Sequence, residues 1–301
     1  MCGAAYTKGV IILGNESAGA LAILVGGILW GTSGTAQALL SPMVVSPMAV
    51  GAMRLGVAGV LLLLFSFVRR GTGVFRGAWP WLACIPAALG MALFQICFFS
   101  SLRLTGVAIG TMVAVGSAPI AAGIFGRIFY GERLTLRWGI ATLLAVAGCC
   151  LLSLSGGAMT ADFRGILLAA LASVCYALCG IGIKGIGRVR PSEDAAIAAL
   201  ALGALVLSPF LFTSDMSWIV SARGAGVAFH MGAIATALPY SLFSWGLQFT
   251  PMSKAYTLTL TEPLTAFLLG VLFLGEPMSF TSACGVALLL AGLLCLSVHK
   301  K

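Results

Sequence analysis

Ten apolar runs of about 20 residues follow one another along this chain with only short polar breaks between them. They cover residues 18–40, 46–68, 79–101, 106–126, 136–155, 164–183, 194–213, 224–247, 253–274 and 279–298. A helix rises about 1.5 Å per residue, so each run is long enough to cross the ~30 Å hydrocarbon layer of a bilayer. Lipid-facing strands alternate over only about 10 residues, so continuous runs describe helices rather than a barrel. Composition agrees, with 60% of residues hydrophobic and 8% charged, against about 25% charged in soluble domains. The longest polar stretches, Arg69–Ala78 and Lys184–Glu193, are too short to fold a core of their own. The fold class that follows is an all-α integral membrane protein, acting within the lipid.

The net charge of +9 would suggest nucleic acid as a partner, but its placement reads as topology. With the N-terminus in the cytoplasm, Lys8, Arg69, Arg70, Arg76, Arg127, Arg133, Arg137, Lys184, Arg188, Arg190, Lys254, Lys300 and Lys301 fall inside. Arg103, Arg164 and Arg223 fall outside, and Arg54 alone lies within a span. Both termini are therefore expected on the cytoplasmic side of a multi-pass protein of the bacterial inner membrane. The first span ends in Ala36-Gln37-Ala38, which fits a signal-peptidase site. Its length and its partner later in the chain favour a retained helix. The nine cysteines, Cys2 among them, are read as small packing residues.

Residues 115–133, VGSAPIAAGIFGRIFYGER, return in altered form at 259–277 as TLTEPLTAFLLGVLFLGEP. At an offset of 144, Pro119 matches Pro263, and Ala122, Gly126, Phe129, Gly131 and Glu132 match Ala266, Gly270, Phe273, Gly275 and Glu276. Ala147, Gly148 and Ser153 continue the match with Ala291, Gly292 and Ser297. Matches at one offset over two consecutive spans mark an internal duplication. Residues 1–157 and 158–301 are then two five-helix copies, and an odd number of helices inserts the second copy upside down. That places Glu132 inside and Glu276 outside, with Arg127, Arg133 and Arg137 around the first Gly-Glu turn. Inverted repeats can exchange shapes to open a central cavity to either side, which points to transport.

A few residues are costly where they sit. Glu262 lies about eight residues, roughly 12 Å, from the inner end of its span. It must face a cavity or a partner. A substrate ammonium, a proton, or the backbone groups released by Pro263 would each account for it. Arg54 is the matching intramembrane cation, suited to a substrate carboxylate or to a helix-end carbonyl. Lys184 and Lys254 lie at inner boundaries, where snorkelling explains them. Polar and aromatic stripes run along four helices: Trp30, Thr32, Ser33 and Gln37; Phe94, Gln95, Phe98 and Ser101; Tyr240, Ser241, Ser244, Trp245 and Gln248; Tyr256 and Thr259 below Glu262. Polar stripes in lipid face protein or water, so four of them imply one shared amphiphilic cavity. Pro239 is expected to kink its helix. Gly27-x-x-x-Gly31 and Gly106-x-x-x-Gly110 are spacings that let helices approach closely.

A membrane enzyme is the rival class: Gly31-Thr32-Ser33-Gly34 has the GxSG form of an intramembrane serine protease, and His230 would be the base for Ser33. The inverted repeat has no role in such an enzyme. No His/Cys/Asp/Glu cluster has metal-ligand spacing and there is no P-loop, so neither a cofactor nor a metal is expected.

Ten spans in two inverted repeats, Trp30-Gly31 in the first span, and a proline followed by Gly-Glu in the fourth and again in the ninth resemble the drug/metabolite transporter superfamily. Within it the chain is most similar to the EamA-type exporters of amino acids, aromatic ones included. The resemblance implies helices 1–4 and 6–9 around a central cavity, with helices 5 and 10 peripheral and often at a homodimer contact. It also implies an acidic residue before the second proline, Glu262 here, whereas the first copy has Ala118. The substrate site expected on both grounds comprises Trp30, Gln37, Phe94, Gln95, Phe98, Tyr176, Tyr240, Ser244, Trp245, Tyr256, Thr259 and Glu262.

Overall fold

The structure, a computed structural model, describes residues 3–40, 46–154, 162–275 and 277–297. Ten helices run through it: α1 Asn15–Ala38, α2 Pro47–Phe75, α3 Trp81–Val107, α4 Ile109–Tyr130, α5 Leu136–Ser153, α6 Phe163–Gly187, α7 Ser192–Thr213, α8 Ala222–Gly246, α9 Met252–Leu274 and α10 Phe280–Leu296. The first nine are long and apolar enough to cross a bilayer, and α10 is slightly shorter. No strand occurs among the described residues. Large apolar side chains such as Leu64, Leu143, Phe212, Leu272 and Leu294 stand exposed around the outside, as a lipid-facing belt requires. Ala158, Glu276, Lys300, Lys301 and Cys2 lie outside the described residues, as do the side chains of Lys8 and Ser297.

Helix packing has a matching two-fold pattern. Helix α3 packs on α6, and α1 on α8; α4 on α6, and α1 on α9; α2 on α8, and α3 on α7. Helices α2, α4 and α5 meet α7, α9 and α10. Advancing every number by five, counted round the ten, returns the same set. The glycines repeat the relation at atomic scale. A Cβ on Gly148 would sit 2.6 Å from Gly285 O and 2.6 Å from Leu289 N, and one on Gly292 would sit 2.6 Å from Ala141 O and 2.8 Å from Ala145 N. Gly285 and Leu289 are Ala141 and Ala145 displaced by the same 144 residues that separate the two glycines. In lipid no hydrophobic effect drives helices together, so close backbone contact of this kind carries the assembly.

The two small-residue spacings part company. Gly27 and Gly31 lie against Thr261, Thr265 and the Glu262 carbonyl, so they admit α9 to α1 as expected. Gly106 instead forms the corner between α3 and α4, with φ 77° and ψ 167°, a conformation open to glycine. Gly110 packs on Leu102 of its own hairpin. Gly106 thus serves the break between the two spans, while Gly110 lets α4 approach α3 closely.

Helices α4 and α9 are both interrupted near the duplicated proline, at Ser117 and at Thr259–Leu260. Pro239 acts through the turns before it: residues His230–Ala237 are wound as a π-helix, and Thr236 Oγ1 donates to Met231 O at 2.7 Å. A proline lacks the N–H that would close the preceding turn, and a wider turn accommodates the loss.

The cations gather where α1 begins, and this basic end is fastened by ion pairs. Arg69 meets Glu193 at 2.7 Å, Arg190 meets Asp194 at 2.8 Å, and Arg70 also bonds Asp194. Lys184 pairs with Glu132 at 2.8 Å and Lys254 with Glu16 at 3.0 Å, so both lysines have partners and do not merely snorkel. Glu132 turns away from its neighbouring arginines. It accepts from Lys184 and from Met252 N at 2.9 Å, capping the start of α9.

Candidate functional site

The centre of the bundle holds a continuous chain of rings from five helices. Phe98 stacks on Phe94 with centroids 5.4 Å apart, Phe94 meets Tyr176 at 5.1 Å, and Tyr176 meets Tyr256 edge-on at 4.7 Å. Phe243 touches Tyr256 at 5.5 Å and Trp30 at 5.7 Å, and Trp30 meets Tyr240 at 5.0 Å. Offset and edge-on pairs are the favoured geometries of such rings. Tyr256 OH donates to Tyr176 O at 2.7 Å across α9 and α6. The rings close on one another here.

Six of the expected site residues, Trp30, Phe94, Phe98, Tyr176, Tyr240 and Tyr256, are thus brought together. Gln95 lies beside them, its amide nitrogen donating to Gly51 O at 3.4 Å. Ser244 is fully buried on the turn after Tyr240. Thr259 is buried but bonded locally to Tyr256 O at 2.8 Å. Gln37 is half-buried about two turns from Trp30, beyond the ring chain. Trp245 lies apart from them: it is 39% exposed and packs on Phe249. Five residues on from Tyr240 turn the helix by about 140°, which carries Trp245 off the buried face. Phe243, three residues from Tyr240, occupies that face with no exposure and joins Trp30, Tyr176, Tyr240 and Tyr256. It was missed because polar residues were followed along α8; its helical spacing from Tyr240 was the available signal.

Polar groups remain unpaired inside this region. Trp30 Nε1, Arg54 Nε, Gln95 Oε1 and Ser244 Oγ are buried with no hydrogen-bond partner among the described residues. The Glu262 carboxylate has none among the described residues either, so it does not satisfy the backbone near Pro263. Buried polar groups are nearly always bonded, so several left over in one region are a property of the site.

The protease arrangement is absent. Ser33 Oγ donates to Trp30 O, and His230 Nε2 lies 2.9 Å from Thr32 Oγ1. Thr32 spends its own proton on Leu29 O at 2.7 Å, so His230 is the donor in that contact. A cleft of about 440 Å³ lies beside this pair, between α1, α8 and α9, with Leu39, Val227 and Phe273 in its walls. It opens on the exposed stripe of α1 that carries Leu21, Val25 and Ile28, on the far side of that helix from Trp30. Outside the spans, Asp215 accepts from Ser217 N at 2.8 Å, which holds its carboxyl below the ordinary carboxylate range.

A polytopic helical bundle with an occluded aromatic centre is thus defined. The EamA-like transporter family matches it twice, over residues 17–154 and 163–298, and the chain belongs to that family. An uncharacterized transporter of Bacillus subtilis, YwfM, is 40% identical over 93% of this chain and 94% of its own length. The Salmonella typhimurium inner membrane transporter YicL is 26% identical over 96% and 98%. The chloramphenicol-sensitive protein RarD of Pseudomonas aeruginosa is 29% identical over 72% and 73%. A solved crystal structure shares the fold with a TM-score of 0.79 at 20% identity, covering 93% of this chain and 96% of that one. The protein is a membrane transporter and not an enzyme, and the reading of Ser33 and His230 as a protease pair is set aside.

Proposed function

We propose that this transporter exports small metabolites, amino acids including aromatic ones, across the bacterial inner membrane by alternating access. The observation that carries the reading is the ring chain: Trp30, Phe94 and Phe98 come from α1 and α3, and Tyr176, Tyr240, Phe243 and Tyr256 from α6, α8 and α9. A site assembled from both halves is made and unmade when the halves exchange shapes. Residues 1–157 and 158–301 are the two inverted repeats of this scheme. The basic end, by the placement of its arginines and lysines, faces the cytoplasm together with both termini. A homodimer through α5 and α10 belongs to the same reading, since their outward residues Leu143 and Leu294 are 71% and 60% exposed.

The test is counterflow of individual labelled amino acids into liposomes holding the purified protein, with and without a pH gradient. Uptake above protein-free liposomes for at least one amino acid is expected. Its absence for all of them would overturn the substrate assignment. Single cysteines give a second measurement: one at Phe243 or Tyr256 should be shielded from an aqueous thiol reagent by substrate, while one at Trp245 should not respond.

A further inference from the structure

Two opposite charges inside the spans, Arg54 and Glu262, have no hydrogen-bond or ion-pair partner among the described residues. Arg54 sits on α2 between two contact faces. Gly51, three residues earlier, meets Phe99 and Gln95 of α3, and Val57, three residues later, meets Gly232 of α8. A step of three residues is about 300° of helical turn, so Arg54 is aimed into the gap between α3 and α8. Glu262 on α9 borders the same ring chain: its carbonyl meets Gly31, next to Trp30, which touches Tyr240, and its carboxylate lies within electrostatic reach of Arg54. No Arg54 nitrogen comes within 4.0 Å of a Glu262 oxygen. Charge within a membrane protein is retained where it faces a partner, a cavity or a ligand, and the basic end shows that this chain pairs its other buried acids closely.

We infer that Arg54 and Glu262 are the two poles of one subsite, Arg54 holding the carboxylate of a zwitterionic substrate and Glu262 its ammonium group. The inference rests on the proposed export of amino acids and names the residues that read their common backbone. A net-neutral ligand with both charges compensates both poles at once. A simple amine or a simple acid would leave the other pole desolvated and unpaired, which is the costly case. Gln95 Oε1, unpaired beside Gly51, is a further acceptor on the same side. The substrate side chain then lies on the ring chain, where Trp30, Tyr240 and Phe243 converge.

Binding to the purified full-length protein in detergent tests this with two sets of probes: phenylalanine, phenylethylamine and 3-phenylpropionate; and leucine, isopentylamine and 4-methylpentanoate. For the wild type, the amino acid should bind at least tenfold more tightly than either truncated analogue. Arg54→Gln should remove at least tenfold of the amino-acid affinity while leaving that of the amine unchanged. Glu262→Gln should do the converse, sparing the acid. Arg54→Lys, which keeps the charge, should recover part of the loss, and thermal unfolding of each variant identifies misfolding. Uniform loss of all probes in folded variants, or no change in any, overturns the bipolar subsite while leaving amino-acid transport intact. A wild type that binds neither amino acid overturns the transport reading for these substrates and the subsite with it.

Discussion

Asp194→Ala is expected to destabilise the protein by about 3 kcal/mol, the lower end of the range for breaking a buried ion pair. Asp194 is completely buried at the start of α7, where it takes Arg190 Nε at 2.8 Å and the guanidinium of Arg70. Arg190 in turn donates to Arg76 O and Val74 O at 3.1 and 3.0 Å, tying the turn before α7 to the connection after α2. Removing the carboxylate leaves Arg190 with the two carbonyls and the Trp79 ring, and Arg70 with Ser66 and Glu193 at 4.0 Å. The neighbouring Glu193→Ala is the control. It loses the pair with Arg69, whose side chain is 58% exposed, and an exposed pair contributes about 0–1 kcal/mol. Unfolding of both variants in the same detergent should separate them clearly; equal losses would show that the burial of Asp194 has no energetic weight.

Gly182→Val should yield no folded protein. A Cβ at Gly182 would overlap Ala87 N and approach Ala83 O to 2.5 Å, and these are backbone atoms of α3 that cannot rotate aside. The opposing contact is as close, since a Cβ on Gly90 would lie 2.5 Å from Cys179 N. Helices α3 and α6 would have to separate along their length, and the ring pair of Phe94 and Tyr176 would part with them. Gly139→Ala, on α5 with nothing within 4 Å, should be tolerated and even gain about 0.5–1 kcal/mol from helix propensity. The readout is the monodisperse fraction on size-exclusion chromatography, and a monodisperse Gly182→Val protein would sink the packing argument.

The helices were legible because a membrane span is specified by length and apolarity alone, and the duplication because glycine and proline matches survive where backbones touch. Gly148 and Gly292 show why: each is required by the other half. Connections were less legible. Residues 106–110 read as a close-approach spacing, and Gly110 serves that use while Gly106 turns the corner. Ion pairs such as Lys184 with Glu132 join residues far apart in sequence, so no local spacing announces them. In the site, helical phase was the weak point. Trp245 and Phe243 are two residues apart, yet one faces outward and the other occupies the centre, and chemistry alone favoured the tryptophan.

The ion pairs fasten only the basic end; among the described residues the opposite end has none. Under the proposed scheme, a two-fold scaffold would, by its symmetry, rest equally in two shapes exchanged by that two-fold rotation. Charge removes that degeneracy. Opening at the basic end must separate α4 from α6 and α1 from α9 by parting Glu132 from Lys184 and Glu16 from Lys254. A difference of about 1.4 kcal/mol between the shapes already gives a tenfold population ratio. In the alternating-access scheme proposed above, the empty carrier therefore waits with one door shut, and because these pairs are mostly buried, added salt relaxes them little.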